Sequence, residues 1–196
     1  MSKVVCDISM SLDGFITAAN RTTQQPMGDG GLRLVEWAFG DDERNRAYLA
    51  DNVTELGAVI AGRETYDTSL PWWGADGPSQ GARRPVFVLT HRPPAERPEN
   101  GVYTFVSDGV ESALRQAREA ADGKIVTVMG GANVIRQYLA AGLVDEVSIH
   151  LVPVLFGAGT RLFEHLGIAH VSLEPVSVLE TPAAIHLRLR VTGEKE

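Results

Sequence analysis

The sequence predicts an α/β domain built on a central, mixed and mostly parallel sheet that ends in a C-terminal antiparallel hairpin. Three observations predict it. Short apolar or alternating runs, the signature of strands, recur along all 196 residues. As far as about residue 152, segments of helical periodicity fall between them, and such alternation places parallel strands beneath covering helices. The last two runs are separated only by Glu180-Thr181-Pro182-Ala183, which is room for a turn but not for a crossover helix. The length fits one domain over residues 1–196, and a chain of about 150 residues or more buries roughly 70% of its unfolded surface.

In chain order, the strand patterns fall at residues 4–10, 58–61, 85–90, 102–106, 124–129, 144–152, 171–179 and 184–191. Helical patterns occupy 41–54, 108–121 and 132–141, and a further helix starts directly after Gly62. The second of these has Ser107 or Asp108 as its candidate N-cap, with Val110, Leu114, Ala117 and Ala121 along one stripe. The third stops before Gly142, a natural helix stop. Residues 11–34 and 71–84 fit no element and are rich in glycine; long irregular segments in a compact domain are often binding loops, so these two are expected to wall a cleft. Glu164-His165 reads as a short helical turn.

Composition excludes several function classes. With 18 Lys+Arg against 25 Asp+Glu, the net charge of −7 offers no basic face for nucleic acid. The one cysteine, Cys6, forms no internal disulfide and supplies no cysteine zinc cluster. The segment after Met1 is too interrupted for a signal peptide, and no apolar run approaches the ~18 residues of a membrane span, so a cytoplasmic protein is expected. The five histidines show no His-Glu-x-x-His spacing and no Gly-x-Ser-x-Gly elbow is present; no metal site is expected. His150 and His186 lie in strand patterns and read as packed residues.

Three strand ends carry groups suited to anions. In Ala58-Val59-Ile60-Ala61-Gly62-Arg63-Glu64-Thr65-Tyr66 a buried strand gives way at once to a helix, which places free N–H groups and a positive dipole end at the strand's carboxyl edge. The Arg63 guanidinium and the Thr65 hydroxyl stand beside them. A tight turn with a surface arginine explains that motif equally well taken alone. Val126-Thr127-Val128-Met129-Gly130-Gly131-Ala132-Asn133 repeats the arrangement through two adjacent glycines, which let a ligand approach bare backbone or a helix pack closely. Val86-Phe87-Val88-Leu89-Thr90-His91-Arg92 ends in a hydroxyl, an imidazole and a guanidinium. Ligands of open α/β sheets bind at this edge, and three such ends together read as a dinucleotide site. Neither Gly-x-Gly-x-x-Gly nor a Walker motif occurs.

The opening Ser9-Met10-Ser11-Leu12-Asp13-Gly14-Phe15-Ile16, followed by Gly62-Arg63-Glu64-Thr65-Tyr66, Met129-Gly130-Gly131-Ala132-Asn133 and Pro153-Val154-Leu155-Phe156-Gly157-Ala158-Gly159, resembles the dihydrofolate-reductase-like family. More narrowly, it resembles the reductase half of the bifunctional deaminase–reductase of riboflavin biosynthesis, in motif order from about residue 4 to 165. The resemblance implies a dihydrofolate-reductase-like three-layer fold and NADPH as hydride donor. On the matching positions, Gly62, Arg63 and Thr65 hold cofactor phosphates. Gly130, Gly131, Ala132 and Asn133 meet the pyrophosphate and nicotinamide ribose. Thr90 and Arg92 meet the adenosine ribose and its 2′-phosphate, which an arginine recognises by charge and geometry. Leu12, Asp13 and Gly14 border the nicotinamide and substrate, with Asp13 the candidate catalytic residue. Asp-Gly is equally a common turn pair.

The implied chemistry reduces a ribosylamine, opened to its imine, on a pyrimidine- or pteridine-like substrate. Such hydride transfer needs orientation more than a strong acid, which suits a sequence without an evident catalytic dyad. Gly157 and Gly159 are further candidate substrate contacts, as are residues 27–31. Trp73, after Trp72, is a candidate stacking lid or loop anchor. One cysteine cannot supply the zinc deaminase motif, so a reductase without the deaminase is expected. Dihydrofolate reduction, or nucleotide binding without turnover, are the alternatives; the acid of dihydrofolate reductases has no sure counterpart, Asp42 and Glu43 reading equally as helix-start charges. Residues 144–156 carry more apolar surface than one edge strand should expose, predicting a homodimer, as the resemblance also implies.

Overall fold

The computed structural model describes residues 1–167 and 170–193. Ten strands run in chain order: β1 (Val4–Ser11), β2 (Phe15–Ala18), β3 (Leu56–Gly62), β4 (Val86–Leu89), β5 (Tyr103–Val106), β6 (Ile125–Val128), β7 (Glu146–Val152), β8 (Gly159–Arg161), β9 (Leu173–Glu180) and β10 (Ile185–Val191). The helices are α1 (Glu36–Phe39), α2 (Glu43–Glu55), α3 (Arg63–Trp73), α4 (Val110–Ala121) and α5 (Ala132–Ala140).

Eight strands form one sheet in the order β5-β4-β3-β6-β1-β7-β10-β9. Pairing is parallel from β5 to β7, and β10 runs antiparallel to both β7 and β9. The expected mixed sheet and closing hairpin are therefore present. Thr181 closes that hairpin: its hydroxyl donates to the Ala184 carbonyl at 2.8 Å and accepts the Ala184 N–H at 3.2 Å. No helix among the described residues is long and apolar enough to cross a membrane.

Strand alternation divides the core. Val4, Cys6, Ala58, Ile60, Val126 and Val128 turn to one face, where Ala113, Leu114 and Ala117 of α4 and Ile135 and Tyr138 of α5 cover them. Cys6 is one of these core residues, and burial pushes its thiol pKa up. On the other face Tyr66 of α3 packs with Val59, Val86 and Val88, while Trp37 of α1 and Tyr48 and Leu49 of α2 gather near Val152 and Ala184. The layers are helix, sheet, helix.

Several expectations change. Helix α4 starts two residues later than residue 108, from Gly109 at φ +101 with no side-chain cap, so neither Ser107 nor Asp108 serves as N-cap. The segment at residues 11–34 contains β2, which pairs with β8 in a small second sheet, and a 3₁₀ turn over Gly31–Leu34. Residues 71–73 complete α3. Glu164 ends a bend and His165 has no regular structure, so the pair forms no helical turn; Glu164 is paired to Arg136 at 3.0 Å. Strand β7 lies between β1 and β10, so its apolar side chains are buried and cannot form an edge. One group of exposed apolar side chains sits on the sheet edge, at Leu173, Val176 and Val178 of β9, with Ile185 on the neighbouring β10.

Candidate active site

The carboxyl ends of β3 and β6 meet first. The Gly62 N–H donates to the Gly130 carbonyl at 2.7 Å. That approach leaves no room for a side chain, since a Cβ on Gly62 would lie 2.9 Å from Val134 Cγ2. Gly130 sits at φ +105, and the Gly130–Gly131 peptide is cis. Helices α3 and α5 spring from Gly62 and Gly131, and neither has a side-chain cap. The N–H groups of Arg63 and Glu64 and of Ala132 and Asn133, which open these helices, lack intrahelical partners by geometry, whereas that of Val134 reaches the Gly131 carbonyl at 3.0 Å; both helix starts border one cleft. The Thr65 hydroxyl stands beside Gly131: a Cβ there would come 3.6 Å from Thr65 Oγ1.

At the end of β4, the Thr90 hydroxyl donates to the Arg92 carbonyl at 2.8 Å and accepts the Arg92 N–H at 3.2 Å. Arg63 is fixed by Asp67, 2.8 Å from its Nε, and donates through Nη1 to the same Arg92 carbonyl at 2.5 Å. The Arg92 guanidinium makes no ion pair or hydrogen bond among the described residues, leaving an uncompensated cation at the cleft mouth.

The cleft measures about 1630 Å³ and crosses the sheet between α2 and α3. Of the residues singled out in the sequence, Gly62, Arg63, Thr65, Trp73, Thr90, Arg92, Gly131, Ala132 and Asn133 line it. Both irregular segments contribute walls, residues 11–34 through Ile16, Thr17, Arg21 and Met27, and residues 71–84 through Trp72, Pro78 and Gln80. Gly130 lies just beneath, holding β3 through its carbonyl.

Leu12, Asp13, Gly14, Gly157 and Gly159, the other expected substrate contacts, stand outside the residues that line this cleft. They form a clasp between two loops. Asp13 accepts the Ser11 hydroxyl at 2.6 Å, the Phe156 N–H at 3.1 Å and the Gly157 N–H at 2.7 Å. The Ser11 hydrogen bond, with those from the backbone of Gly157 and Phe156, outweighs desolvation and holds the Asp13 carboxyl down at about 2. A carboxylate so engaged ties the two loops together. Leu12 donates its N–H to the Val154 carbonyl at 2.9 Å, and the Gly14 carbonyl accepts from Leu162 at 3.0 Å. Gly159 is required by β2, because a Cβ would lie 2.0 Å from the Thr17 carbonyl oxygen. In residues 27–31 only Met27 borders the cleft. Asp42, the other candidate acid, caps α2 by accepting the Arg44 and Asn45 N–H groups at 3.0 and 3.1 Å.

The end of the cleft away from Arg63 and Arg92 is polar, and sequence reasoning missed it. Asp7, Ser9, Trp37, Tyr48, Asn52, Ser148, His150 and Arg188 line it. Register explains their meeting: Asp7 is opposite Ser148 and Ser9 opposite His150, while His186 and Arg188 on β10 face His150 and Ser148. His150 Nε2 is 3.1 Å from Asp7 Oδ1, His150 Nδ1 is 2.9 Å from His186 Nδ1, and His186 Nε2 is 2.9 Å from Asn45 Oδ1. Trp37 lies over both imidazoles at 4.4 and 4.7 Å, and Tyr48 stacks on His186 at 4.6 Å. Both histidines are packed, as their strand patterns predict, but they are packed in line with a carboxylate. Burial raises the Asp7 pKa and the attraction of His150, with hydrogen bonds from His150 and Ser148, more than reverses it; the net shift is downward. The missed signal is a polar-x-polar pair inside each of three apolar strands: Asp7/Ser9, Ser148/His150 and His186/Arg188.

The family model described as the RibD C-terminal domain matches residues 2–187 of this chain. A Bacillus subtilis protein, the uncharacterized YyaP, is 24% identical over 170 residues, 82% of this chain and 80% of that protein. Among solved structures, a candidate riboflavin biosynthesis protein of Shewanella sp. PV-4 superposes with a TM-score of 0.72 at 21% identity, covering 98% of this chain and 100% of its own. The Thermotoga maritima diaminohydroxyphosphoribosylaminopyrimidine deaminase/5-amino-6-(5-phosphoribosylamino)uracil reductase gives 0.65 at 19% identity, over 97% of this chain and 57% of that one. A dihydrofolate reductase of Enterococcus faecalis complexed with NADP(H) gives 0.58 at 14%, over 97% of both chains, a relationship of fold.

Proposed function

Since the chain belongs to the family of the RibD C-terminal domain, we propose that it is an NADPH-dependent reductase of a pyrimidine-like substrate, of the kind represented by 5-amino-6-(5-phosphoribosylamino)uracil. The observation that carries this reading is the pair of uncapped helix starts at Gly62 and Gly131, joined by the 2.7 Å Gly62–Gly130 hydrogen bond and opening on one cleft.

The residues present fit a dinucleotide. Bare backbone at Gly131 lets a pyrophosphate approach the N–H groups of Ala132 and Asn133. Thr65 and Arg63 add a hydroxyl and a fixed cation beside them, and unpaired Arg92 suits a 2′-phosphate. Bound there, NADPH supplies a hydride. The chain's own work is to orient the substrate ring across the polar end, where Ser9, Asn52, Ser148 and Arg188 offer donors and acceptors, and to keep water from the imidazoles through Trp37 and Tyr48.

Dihydrofolate is disfavoured as substrate because Asp42 is committed to capping α2. The homodimer belongs with this reading, carried by the apolar side chains of β9 in place of β7. The deciding experiment is titration with NADPH and NADH, followed by quenching of the three tryptophans, and then cofactor oxidation with the ribosylaminouracil phosphate and with dihydrofolate. NADPH-selective binding with oxidation by the former supports the reading. Binding without oxidation by any substrate supports a nucleotide-binding protein that lacks turnover, and absence of binding leaves the glycine turns as packing devices.

A further inference from the structure

The hydrogen bonds of the buried histidine pair fix where their protons lie. Asn45 presents its amide oxygen to His186 Nε2 at 2.9 Å, and an oxygen of this kind only accepts, so His186 Nε2 carries a hydrogen. Burial first, and His150 second, push the His186 pKa down to about 4. His186 is therefore neutral at pH 7, and its Nδ1 is a bare acceptor. The His150 nitrogen 2.9 Å away must then be the donor. With its Nδ1 hydrogen committed there, a neutral His150 would turn a lone pair toward Asp7 Oδ1 at 3.1 Å. Two acceptors at that distance repel, so the contact needs one more proton, on the imidazole or on the carboxyl.

We propose that Asp7 and His150 form a dyad sharing one extra proton, and that Asp7 delivers this proton to the substrate nitrogen as its neighbouring carbon is reduced. Asp7 is suited to the transfer because it reaches the cleft: about a quarter of its side chain is exposed, against 4% for His150. His150 is the reservoir, and His186 and Asn45 are positioning residues that fix its orientation. The proposal rests on the reductase reading and adds a proton donor to it. The step balances. The carbon of a C=N bond accepts hydride from the reduced nicotinamide, which is oxidised. The π pair of that bond becomes an N–H bond to the dyad's proton. The product is the amine, and the dyad is left as an Asp7 carboxylate beside neutral His150, to be reloaded from water in the cleft.

The charged and titratable groups around the dyad are Arg188 and His186 on β10, Tyr48 on α2 and Asp42 at the start of that helix. Arg188 is itself held by Glu146 at 2.6 Å, so its charge is partly neutralised and leaves the dyad able to hold its proton.

The first test needs no turnover. Nitrogen-15 NMR of histidine-labelled protein at pH 7, with the signal assigned by its loss in His150→Gln, should find His150 Nδ1 bearing hydrogen and a further proton in the Nε2–Asp7 bond. A bare Nδ1, with only Nε2 protonated, overturns the dyad. The second test follows NADPH oxidation with the ribosylaminouracil phosphate. Asp7→Asn should lower kcat roughly 10²- to 10³-fold while the dissociation constant for NADPH stays within about twofold and the melting temperature is kept. Wild-type kcat should fall at alkaline pH and in heavy water, and the variant should lose both dependences. An unchanged kcat and pH profile in the variant overturns the donor role. Should the wild type bind NADPH but oxidise it with no pyrimidine, the reductase reading fails and the donor role with it, while the NMR result still decides the dyad.

Discussion

Arg92 and His186 show how much of a residue's role is set by what surrounds it. Arg63 and Arg92 stand together, but Arg63 is spent on Asp67 and a carbonyl while Arg92 is unpaired. Arg92→Ala is therefore expected to weaken NADPH binding roughly 10- to 100-fold, as loss of a charged hydrogen bond worth ~1.5–3 kcal/mol implies, and to leave NADH nearly unchanged; equal losses in the fluorescence titration would remove Arg92 from the 2′-phosphate site. His186 makes a prediction about pH. Its pKa is about 4 in the folded protein against 6.5 for a free histidine, so the unfolded chain binds the proton more readily. Stability should be intact above pH 6.5 and fall as the pH drops toward 4, by roughly 2 kcal/mol. Urea midpoints across that window check it, and His186→Gln should flatten the decline; parallel curves for both proteins would show that another group titrates there.

At the scale of the element, the main strands and helices were legible because each carries its own period, and the closing hairpin because four residues cannot hold a crossover. The short strands β2 and β8 were not, since β2 lies inside a glycine-rich stretch that reads as loop and is buried on both faces, and β8 has only three residues. Their pairing is instead written in a glycine. A Cβ at 159 meets the Thr17 carbonyl at 2.0 Å, and the backbone there has φ +142. Gly159→Ala should cost about 2 kcal/mol or more, seen as a lower urea midpoint with cofactor affinity little changed; an unaltered midpoint would mean that the small sheet adds nothing to stability. The cleft end around Gly62, Thr90 and Gly131 was legible for a related reason: its groups cluster within runs of a few residues at strand ends. The polar half was hidden because Asp7 and His150 lie 143 residues apart and meet only through register. The hydrogen bonds of Asp13 to Phe156 and Gly157 were not legible either, because an Asp-Gly pair looks the same whether it serves a substrate or ties down a loop.

For the whole molecule, β9 leaves the sheet with an unprotected edge. Leu173, Val176 and Val178 are exposed on it, and an apolar edge strand invites another chain. Light scattering at micromolar concentration should return about twice the 21.2 kDa chain mass, and Val176→Lys with Val178→Lys should return the mass of one chain; a monomeric wild type would mean that this edge is tolerated bare.

The two ends of the cleft draw on different parts of the chain. Residues 62–92 and 131–133 make the end proposed for the nucleotide, whereas the polar end comes from β1, α1, α2, β7 and β10. Substitutions on β1, α2, β7 and β10 can therefore reshape the polar end and leave the turns at Gly62 and Gly131 untouched, so that what the cleft admits can change without disturbing the two helix starts.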